Sequence, residues 1–335
     1  MTRAIAAASR VRCITSPNPW VGAVLRTDDG HMFEGATLEP GHSHAEVVAL
    51  QAAGDAAQGA TMYVTLEPCS HTGRTGPCTT AILDAGVRRV VIGIEDPDPL
   101  VAGSGVRMLR DAGVEVDVGI QADKVDQQLA PYLKHRRTGR PWVVLKLAST
   151  LDGGTAAPNG SSQWITSPDA RADGHRLRAE SDAILVGAGT VRRDDPSLTV
   201  RDYRPPVAPS SGTVDPIRVV LGAAPAGAQV HPCRQMSGDL GGVLDDLGGD
   251  GVLQLLVEGG AAVAGDFHRG GFVDRYVIYV APALFGGDDA NGLFEGAGAW
   301  DIGDVWRGRF VSVERVGDDL RVEMAPSAPV AAEEV

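Results

Sequence analysis

Two blocks of alternating strand and helix patterns, separated by one short charged segment, most constrain the fold of this chain. In the first block, apolar runs such as VGAVL, TMYVTLEP and RRVVIGIED alternate with helical stretches that stop near glycine. This alternation predicts a central sheet with helices packed on its faces. The second block, with runs such as DAILVG, LQLLVEGG and RYVIYVAP, repeats the pattern and predicts a separate α/β domain.

The segment LKHRRTGRP, residues 133–141, separates the two blocks. It is charged, contains glycine and ends in proline before the apolar run WVVLKLAS, as linkers between domains do. A chain of 335 residues also exceeds one ordinary core. We therefore expect domains at residues 1–138 and 141–325, followed by a disordered tail at 326–335.

Two stretches of the second block, residues 201–216 and 222–251, are rich in Pro, Gly, Ala and Asp. These residues favour turns and interrupt regular structure. We expect loops there, around at most one short helix. The run VGAGTVRRDDPSLTVR predicts a strand followed by a polar loop.

Composition excludes several classes of function. The net charge of −13 argues against binding a nucleic-acid backbone, which requires a concentrated surplus of Lys and Arg. No apolar run is long enough to cross a bilayer, and the N-terminus lacks the apolar core of a signal peptide. Four scattered cysteines do not form a disulfide framework, so we expect a protein of the reducing cytoplasm.

The strongest chemical signal is the combination of HAEVVAL with EPCSHTGRTGPC. His44 and Glu46 lie two residues apart at the start of a predicted helix, and Cys69 and Cys78 follow. His-x-Glu followed by Pro-Cys and a second Cys is the pattern of zinc deaminases. One imidazole and two thiolates give three protein ligands, which leaves the fourth tetrahedral position of a catalytic zinc for water. Buried packing is the alternative role of the two cysteines.

Glu46, the residue of this pattern that is not a metal ligand, is the candidate proton carrier. Its spacing places the carboxylate near the water that zinc activates, so it can move protons from the water to the substrate and the leaving amine. Cys78 begins a predicted helix, and the positive end of the helix dipole favours its thiolate form. We expect Glu46 to be catalytic, with His44, Cys69 and Cys78 as the metal ligands.

SPNPWVGAV, HAEVVAL and VTLEPCSHTGRTGPC resemble the deaminase half of the bifunctional RibD family of riboflavin biosynthesis. This resemblance implies a cytidine-deaminase-like, three-layer α/β/α fold for the first domain. It also implies that the residues between the two cysteines grip the substrate. By motif, Asn18, His71 and Arg74 are then the substrate contacts of the deaminase.

The second block gives weaker signals of its own. LLVEGGAAVAGDF places glycines between a strand and a helix, where backbone N–H groups can hold a phosphate, although such a turn is more often only a turn. KLASTLDG, SSQWITS, LRAESDAILVGAGTV, DDPSLTVR and VEGGAAVAG resemble, in this order, the reductase half of the RibD family. The resemblance implies a dihydrofolate-reductase-like fold that uses NADPH.

The same resemblance assigns residues to the reductase. The cofactor site would comprise Ala148, Trp164, Thr190, Asp194 and Gly260. The substrate would be held by Ser162, Arg178, Leu198, Arg201 and Glu258. Two arginines suit a phosphorylated sugar, because guanidinium groups match phosphate oxygens.

These observations lead to one hypothesis and two alternatives. The hypothesis is a cytoplasmic, zinc- and NADPH-dependent enzyme that deaminates a phosphorylated pyrimidine and then reduces its ribosyl group, working as a homo-oligomer without nucleic acid or membrane partners. The first alternative is a zinc deaminase of bases or nucleotides whose second domain binds ligands but is redox-inactive. The second is a zinc-stabilised scaffold without catalysis, which the three-ligand set disfavours.

Overall fold

The computed structural model describes residues 1–70, 76–98 and 101–327 of the chain. The chain forms two compact units. The first comprises Met1–Arg140 together with Pro205–Val214, and the second comprises Pro141–Arg204 and the chain from Asp215 onward. Pro205–Val214 lies within the predicted second domain but packs with the first unit, where the amide of Ser210 donates a hydrogen bond to Glu39.

The first unit is a five-stranded sheet with helices. Its elements are, in chain order, α1 (Thr2–Arg10), β1 (Gly22–Arg26), β2 (Met32–Ala36), α2 (Ala45–Ala53), β3 (Thr61–Leu66), α3 (Cys78–Asp84), β4 (Arg89–Ile94), α4 (Ser104–Asp111), β5 (Glu115–Val118) and α5 (Ala122–Thr138). The strand order is β2-β1-β3-β4-β5. β3, β4 and β5 are parallel, whereas β1 is antiparallel to both β2 and β3. The strands and helices expected in this block are confirmed.

Close helix packing on this sheet requires a glycine. At Gly35 in β2, a Cβ would lie 2.1 Å from the carbonyl oxygen of Ala45, the first residue of α2. That separation is far below any real van der Waals contact, so only glycine allows α2 to approach. The start of α2, which carries His44 and Glu46, is thereby fixed against the sheet.

The second unit is built on an eight-stranded sheet. Its elements are, in chain order, β6 (Trp142–Thr150), α6 (Pro168–Ala179), β7 (Ala183–Gly187), α7 (Ala188–Asp194), β8 (Ile217–Leu221), β9 (Arg234–Met236), α8 (Leu240–Gly249), β10 (Gln254–Val257), α9 (Ala261–Arg269), β11 (Arg275–Ala281), β12 (Gly308–Val316) and β13 (Asp319–Pro326). The strand order is β12-β13-β11-β6-β10-β7-β8-β9. Six strands run parallel, and β13 and β12 add an antiparallel edge. The predicted two-domain α/β class is confirmed.

The structure adds two short elements that the sequence patterns did not predict. The run after β7 continues directly into α7, although a polar loop was expected, because a helix of seven residues is too short to show a helical period. The three-residue β9 lies in the stretch expected to be loops, beside the one helix allowed there, α8. β13 extends through Pro326, the first residue of the expected tail.

Apolar side chains fill both faces of the central strands in the second unit. One cluster, which includes Leu145, Leu255 and Phe267, lies on the side of α8 and α9, and the other, which includes Ile184 and Tyr279, lies on the side of α6. Strands buried on both faces explain why the sequence shows continuous apolar runs there. Within the described part of the chain, no helix is both long enough and apolar enough to span a membrane.

Two glycines in helices of the second unit give a matched test of this packing. A Cβ at Gly265 in α9 would lie 2.3 Å from the carbonyl oxygen of Glu295, whereas a Cβ at Gly249 in α8 would meet nothing within 4 Å. We predict that Gly265→Ala lowers the free energy of unfolding by about 1–3 kcal/mol, because backbone must move. Gly249→Ala should be neutral or stabilise by up to about 1 kcal/mol through helix propensity. Urea denaturation of both variants checks this, and equal effects would contradict it.

Candidate active sites

Three potential metal ligands converge in the first unit from three separate chain segments. His44 is the N-cap residue of α2, Cys78 is the first residue of α3, and Cys69 lies in the loop after β3. Their ligand atoms all lie within 4.8 Å of one another. The order of elements along the chain therefore brings together the set that the sequence predicted.

The distances in this cluster fit a tetrahedral zinc. His44 Nδ1 lies 3.6 Å from Cys69 Sγ and 3.3 Å from Cys78 Sγ. Ligands on a tetrahedral zinc with ordinary Zn–N and Zn–S bonds are separated by about 3.6 Å. The hydrogen bond from Cys78 lowers the pKa of the Cys69 thiol, and the same hydrogen bond together with burial raises the pKa of Cys78. The donor set and its spacing therefore suit zinc.

Glu46 is buried beside these ligands. Its side chain is in the first turn of α2 and only 4% of its surface is exposed. Burial and, to a smaller extent, the charge of Cys69 raise its pKa to about 7. A carboxyl group with such a pKa can both accept and donate protons near neutral pH.

A cavity of about 410 Å³ opens in front of the cluster. Its walls include His44, Glu46 and Cys69 together with Asn18, the one predicted substrate contact of the deaminase that the structure describes. Cavities of this size hold small ligands. His71 and Arg74, the other two predicted contacts, lie outside the described residues.

Glu67 holds the cysteine loop in place. The side chain is 4% exposed, and its carboxylate accepts hydrogen bonds from the amides of Asp96, Gly103 and Val106 at 3.2, 2.9 and 3.1 Å. Asp96 and Gly103 lie between β4 and α4, and Val106 lies in the first turn of α4. Because Glu67 directly precedes Pro68-Cys69, its carboxylate ties the loop of the candidate ligand Cys69 to the start of α4.

In the second unit, Arg178 and Glu258 form a largely buried bidentate ion pair, with side chains that are 16% and 11% exposed. The guanidinium Nε and Nη2 donate to the two carboxylate oxygens at 2.9 and 2.8 Å, and Nη1 donates to the carbonyl of Thr199 at 3.1 Å. Burial alone would raise the pKa of Glu258, but the charges of Arg178 and Lys146 lower it to about 2. Glu258 is therefore a fixed anion between two cations.

Arg201 joins this cluster through His175. The amide of Arg201 donates to His175 Nδ1 at 3.2 Å. Burial, and then the charges of Arg178 and Arg201, lower the pKa of His175. The exposed Arg201 side chain donates to the hydroxyl of Ser197 at 3.1 Å. Arg201 thus adds a second, exposed guanidinium to this cluster.

Thr190 and Gly260 meet at the start of α9. The amide of Gly260, the N-cap residue of α9, donates to the hydroxyl of Thr190 at 3.2 Å. α7, which carries Thr190, begins directly after β7, and α9 begins shortly after β10. Because β7 and β10 are parallel neighbours, their carboxyl ends place these two helix starts side by side.

Comparison with known proteins identifies both units. A family model described as the cytidine and deoxycytidylate deaminase zinc-binding region matches residues 1–94, and the RibD C-terminal domain model matches residues 141–322. The riboflavin biosynthesis protein RibD of Mycobacterium tuberculosis is 41% identical over 331 residues, covering 97% of this chain and 96% of that protein. The chain belongs to the RibD family. RibD of Bacillus amyloliquefaciens is 39% identical over 360 residues, covering 97% and 95%.

Solved RibD structures share the whole architecture. Acinetobacter baumannii RibD superposes with a TM-score of 0.90 at 37% identity, covering 98% of each chain. A Thermotoga maritima protein, described as a diaminohydroxyphosphoribosylaminopyrimidine deaminase and 5-amino-6-(5-phosphoribosylamino)uracil reductase, gives 0.87 at 33% identity over 98% of this chain and 97% of that one. This RibD-family chain thus joins a zinc-binding deaminase region to a reductase domain, and the reductase domain implies a nicotinamide cofactor.

The structure joins some of the reductase residues expected from the RibD resemblance in two clusters and leaves the others outside both. Contacts join Arg178, Glu258 and Arg201 in one cluster and Thr190 with Gly260 in a second. The remaining expected residues are joined to neither cluster by the contacts described above: Ala148 in β6, Ser162 and Trp164 in the loop before α6, Asp194 at the end of α7, and Leu198. Leu198 is 2% exposed with a left-handed φ of 55°, and its side chain is packed in the apolar core.

Sequence reasoning missed three residues of these RibD sites. Asp96 and Tyr132 line the deaminase cavity, where the Tyr132 hydroxyl lies 3.2 and 3.1 Å from the two carboxylate oxygens of Asp96. Asp96 could have been detected from the sequence, because it is a charged residue just after β4, and β4 is the parallel neighbour of β3, the strand that precedes Cys69. Lys146, a charge within the apolar run WVVLKLAS, was a similar signal for the reductase cluster.

The ion pair of Glu258 makes stability depend on pH. Its pKa of about 2 in the folded protein is below its value of about 4.3 in an unfolded chain, so the unfolded state binds more protons in between. The stabilisation is complete above pH ~4.5 and is lost as the pH falls towards ~2. We predict that Glu258→Gln is roughly 3 kcal/mol less stable than the parent at pH 7, because Arg178 loses its buried partner, and that this difference shrinks in acid.

The control is Glu180→Gln, which removes a partly exposed carboxylate that pairs with Arg176. Such pairs contribute about 0–1 kcal/mol. Chemical denaturation of all three proteins between neutral and acidic pH compares the two pairs. A Glu258→Gln cost as small as that of Glu180→Gln, or one that stays constant with pH, would contradict the assigned role of the ion pair.

Proposed function

We propose that this chain carries out two consecutive steps of riboflavin biosynthesis. The first unit would hydrolyse the 2-amino group of 2,5-diamino-6-ribosylamino-4(3H)-pyrimidinone 5′-phosphate and release ammonia, and the second would reduce the ribosyl group of the product to ribityl. The observation that carries the proposal is the convergence of His44, Cys69 and Cys78 with the buried Glu46 on one cavity. The description of the Thermotoga maritima relative supports the choice of substrate.

His44, Cys69 and Cys78 would hold the zinc. Bound zinc supplies a water whose pKa is lowered towards neutrality and which can attack the pyrimidine ring. Glu46 would accept the proton that this water gives up and deliver it to a ring nitrogen. It would then accept the proton of the new hydroxyl group on the ring carbon and deliver it to the departing amine. Burial of Glu46 keeps bulk water away from these transfers.

Asn18, His71 and Arg74 would position the substrate in the deaminase. Asn18 is at the cavity wall, where an amide can pair with the donors and acceptors of a pyrimidine. The roles of His71 and Arg74 rest on the family resemblance, and Arg74 suits the 5′-phosphate. A localised cation of this kind is required because the protein as a whole carries a net charge of −13.

The second unit would use NADPH as its nicotinamide cofactor, which supplies the hydride. The cofactor site would comprise Ala148, Trp164, Thr190, Asp194 and Gly260. The substrate would be held by Ser162, Arg178, Leu198, Arg201 and Glu258. Glu258 keeps the Arg178 guanidinium oriented. The exposed guanidinium of Arg201 would donate hydrogen bonds to the phosphate of the sugar. The protein's task here is to bring the two reacting carbons together.

The cellular setting follows from the same proposal. Both substrates are small, soluble and phosphorylated, so the enzyme would work in the cytoplasm without nucleic acid or membrane partners. We also propose that the working form is a homo-oligomer. Placing both activities on one chain ensures that the deaminase and the reductase are produced together.

Glu46→Gln tests the deaminase proposal. The variant should retain zinc, because the three ligands stay, but should release ammonia at least about 100-fold more slowly, because the proton carrier is gone. The assay follows ammonia release and NADPH oxidation together on zinc-loaded protein, and metal analysis gives the zinc content. Reduction of separately supplied deaminated product should be unchanged and serves as the internal control.

The other outcomes of this assay separate the alternatives. Normal ammonia release by Glu46→Gln would contradict the role of the carboxylate. Ammonia release without NADPH oxidation in the parent protein would identify a deaminase with a redox-inactive second unit. Neither signal, with zinc bound, would identify a scaffold.

Arg201→Ala tests the division of the reductase site. We predict that it raises the KM for the substrate, or lowers kcat/KM, by about 10- to 100-fold, as loss of a charged hydrogen bond does. The affinity for NADPH should be unchanged. Arg204→Ala removes an exposed guanidinium three residues further on and is the control. A loss of NADPH affinity in Arg201→Ala, with substrate kinetics intact, would show that Arg201 belongs to the cofactor site.

A further inference from the structure

One wall of the deaminase cavity is formed by the last turns of α5 and by the segment after β4. Tyr132 and Arg136 of α5 line the cavity, together with Asp96 and Asp98 of that segment. Residues four positions apart on a helix lie on the same face, so Tyr132 and Arg136 reach the cavity side by side. None of these four residues has a part in the mechanism proposed above.

Tyr132 supports the guanidinium of Arg136 at this wall. The Tyr132 side chain is 4% exposed, and its hydroxyl donates a hydrogen bond to Asp96 at 3.1 Å. The guanidinium carbon of Arg136 lies 5.1 Å from the centre of the Tyr132 ring, a distance at which a cation is attracted to the ring face. The anchored ring is therefore a fixed platform for the cation.

The Arg136 guanidinium has hydrogen-bonding capacity left over. Its Nε lies 3.7 Å from Asp98 Oδ2, which is an ion pair but is too long for a hydrogen bond. This Nε is buried and has no hydrogen-bond acceptor among the described residues. The side chain as a whole is 31% exposed, so a ligand can reach it. A guanidinium with five N–H donors would gain from a ligand that brings acceptors into the cavity.

Charge also sets Arg136 apart in this cavity. It is the one Lys or Arg among the described residues that line the wall, whereas four carboxyl groups line it, those of Glu46, Glu67, Asp96 and Asp98. A phosphate monoester carries about two negative charges at neutral pH. Carboxylates repel such a group unless a fixed cation faces it. Arg136 supplies the positive charge that an anionic ligand requires here.

We propose that Arg136 binds the 5′-phosphate of the deaminase substrate, and that it thereby makes the first unit specific for the phosphorylated compound. This inference rests on the proposed function and adds a specificity-determining residue to it. A guanidinium matches phosphate oxygens with paired hydrogen bonds. Arg136 would share the phosphate with Arg74, the contact expected from the RibD resemblance.

Two structural roles of Arg136 compete with phosphate binding. Basic residues in the last turn of a helix stabilise the negative end of its dipole, and both Arg136 and Arg137 lie in the last turn of α5. Arg136 also neutralises Asp98. Arg137 is exposed and does not line the cavity, so it shares the dipole role without the proposed one. Arg137→Met is therefore the matched control for Arg136→Met.

The test compares ammonia release from the phosphorylated substrate and from its dephosphorylated nucleoside by zinc-loaded protein. Arg136→Met should lower kcat/KM for the phosphorylated substrate by about 10- to 100-fold, as loss of a charged hydrogen bond does. It should leave kcat/KM for the nucleoside unchanged, and Arg137→Met should change neither value. Reduction of separately supplied deaminated product should be the same in both variants.

A second pair of variants separates phosphate binding from neutralisation of Asp98. If Arg136 only neutralises that carboxylate, adding Asp98→Asn to Arg136→Met should restore activity on the phosphorylated substrate. If Arg136 binds the phosphate, the loss should persist in the double variant, because the donors are still missing. Recovery in the double variant would therefore overturn the assignment.

A binding measurement does not depend on turnover. Isothermal titration with ribose 5-phosphate is carried out in an Arg201→Ala background, which weakens the sugar-phosphate site proposed in the second unit. Arg136→Met should raise the Kd by about 10- to 100-fold relative to Arg137→Met. Equal affinity in the two variants, or binding by neither, would overturn phosphate binding by Arg136.

The remaining outcomes are equally distinct. An equal loss of activity on the phosphorylated substrate and the nucleoside would place Arg136 in folding or on another part of the ligand, and phosphate binding would be wrong. A parent protein that releases no ammonia, with a titration that still separates Arg136→Met from Arg137→Met, would overturn the proposed function and retain the phosphate site.

Discussion

The candidate deaminase site depends on bringing three ligand atoms from three separate segments within one coordination sphere. His44 is positioned by the start of α2, Cys78 by the start of α3, and Cys69 by the loop after β3. Helices that begin at the sheet edge supply two of these positions. The buried Glu67 supplies the third, because its carboxylate binds three amides of the next segment and fixes the loop. This carboxylate thus keeps the loop of one candidate metal ligand in place.

In the second unit, an ion pair links two elements at the candidate reductase site. Glu258 follows β10 and Arg178 lies near the end of α6, and their bidentate pair links these two elements at the carboxyl edge of the parallel strands. Because both groups are largely buried, each is stabilised by the other. The pair also leaves Arg201 exposed nearby, linked to the cluster through His175. In both units the candidate site lies at the edge where parallel strands end, so polar side chains gather there while the strands themselves stay apolar.

The edge of the second sheet differs from its centre. Parallel strands at the centre are covered on both sides, but β13 and β12 extend the sheet as an antiparallel edge. Arg321 of β13 pairs with Asp173 of α6, so the charged side of this hairpin faces the helix. The opposite side is apolar, and Phe310 and Val313 of β12 are exposed there.

The sequence by itself determined the two-block α/β organisation and the residue types of the metal site. Apolar runs, glycine stops and the His-x-Glu and Pro-Cys motifs are local features, and local features can be detected without coordinates. His44, Glu46 and Cys78 occupy the helix starts that their spacing predicted. α7 and β9 were missed because elements of seven and three residues carry too little periodicity.

Only the tertiary structure decided which distant residues share a site. Asp96 and Tyr132 meet in the deaminase cavity although 36 positions separate them, and Lys146 acts on Glu258 from a neighbouring strand. Strand register likewise decided that the β12–β13 hairpin turns its apolar side outward, which the alternation of residues alone leaves open. The physical reason is the same in each case. Pairing between strands, rather than order along the chain, determines which side chains become neighbours.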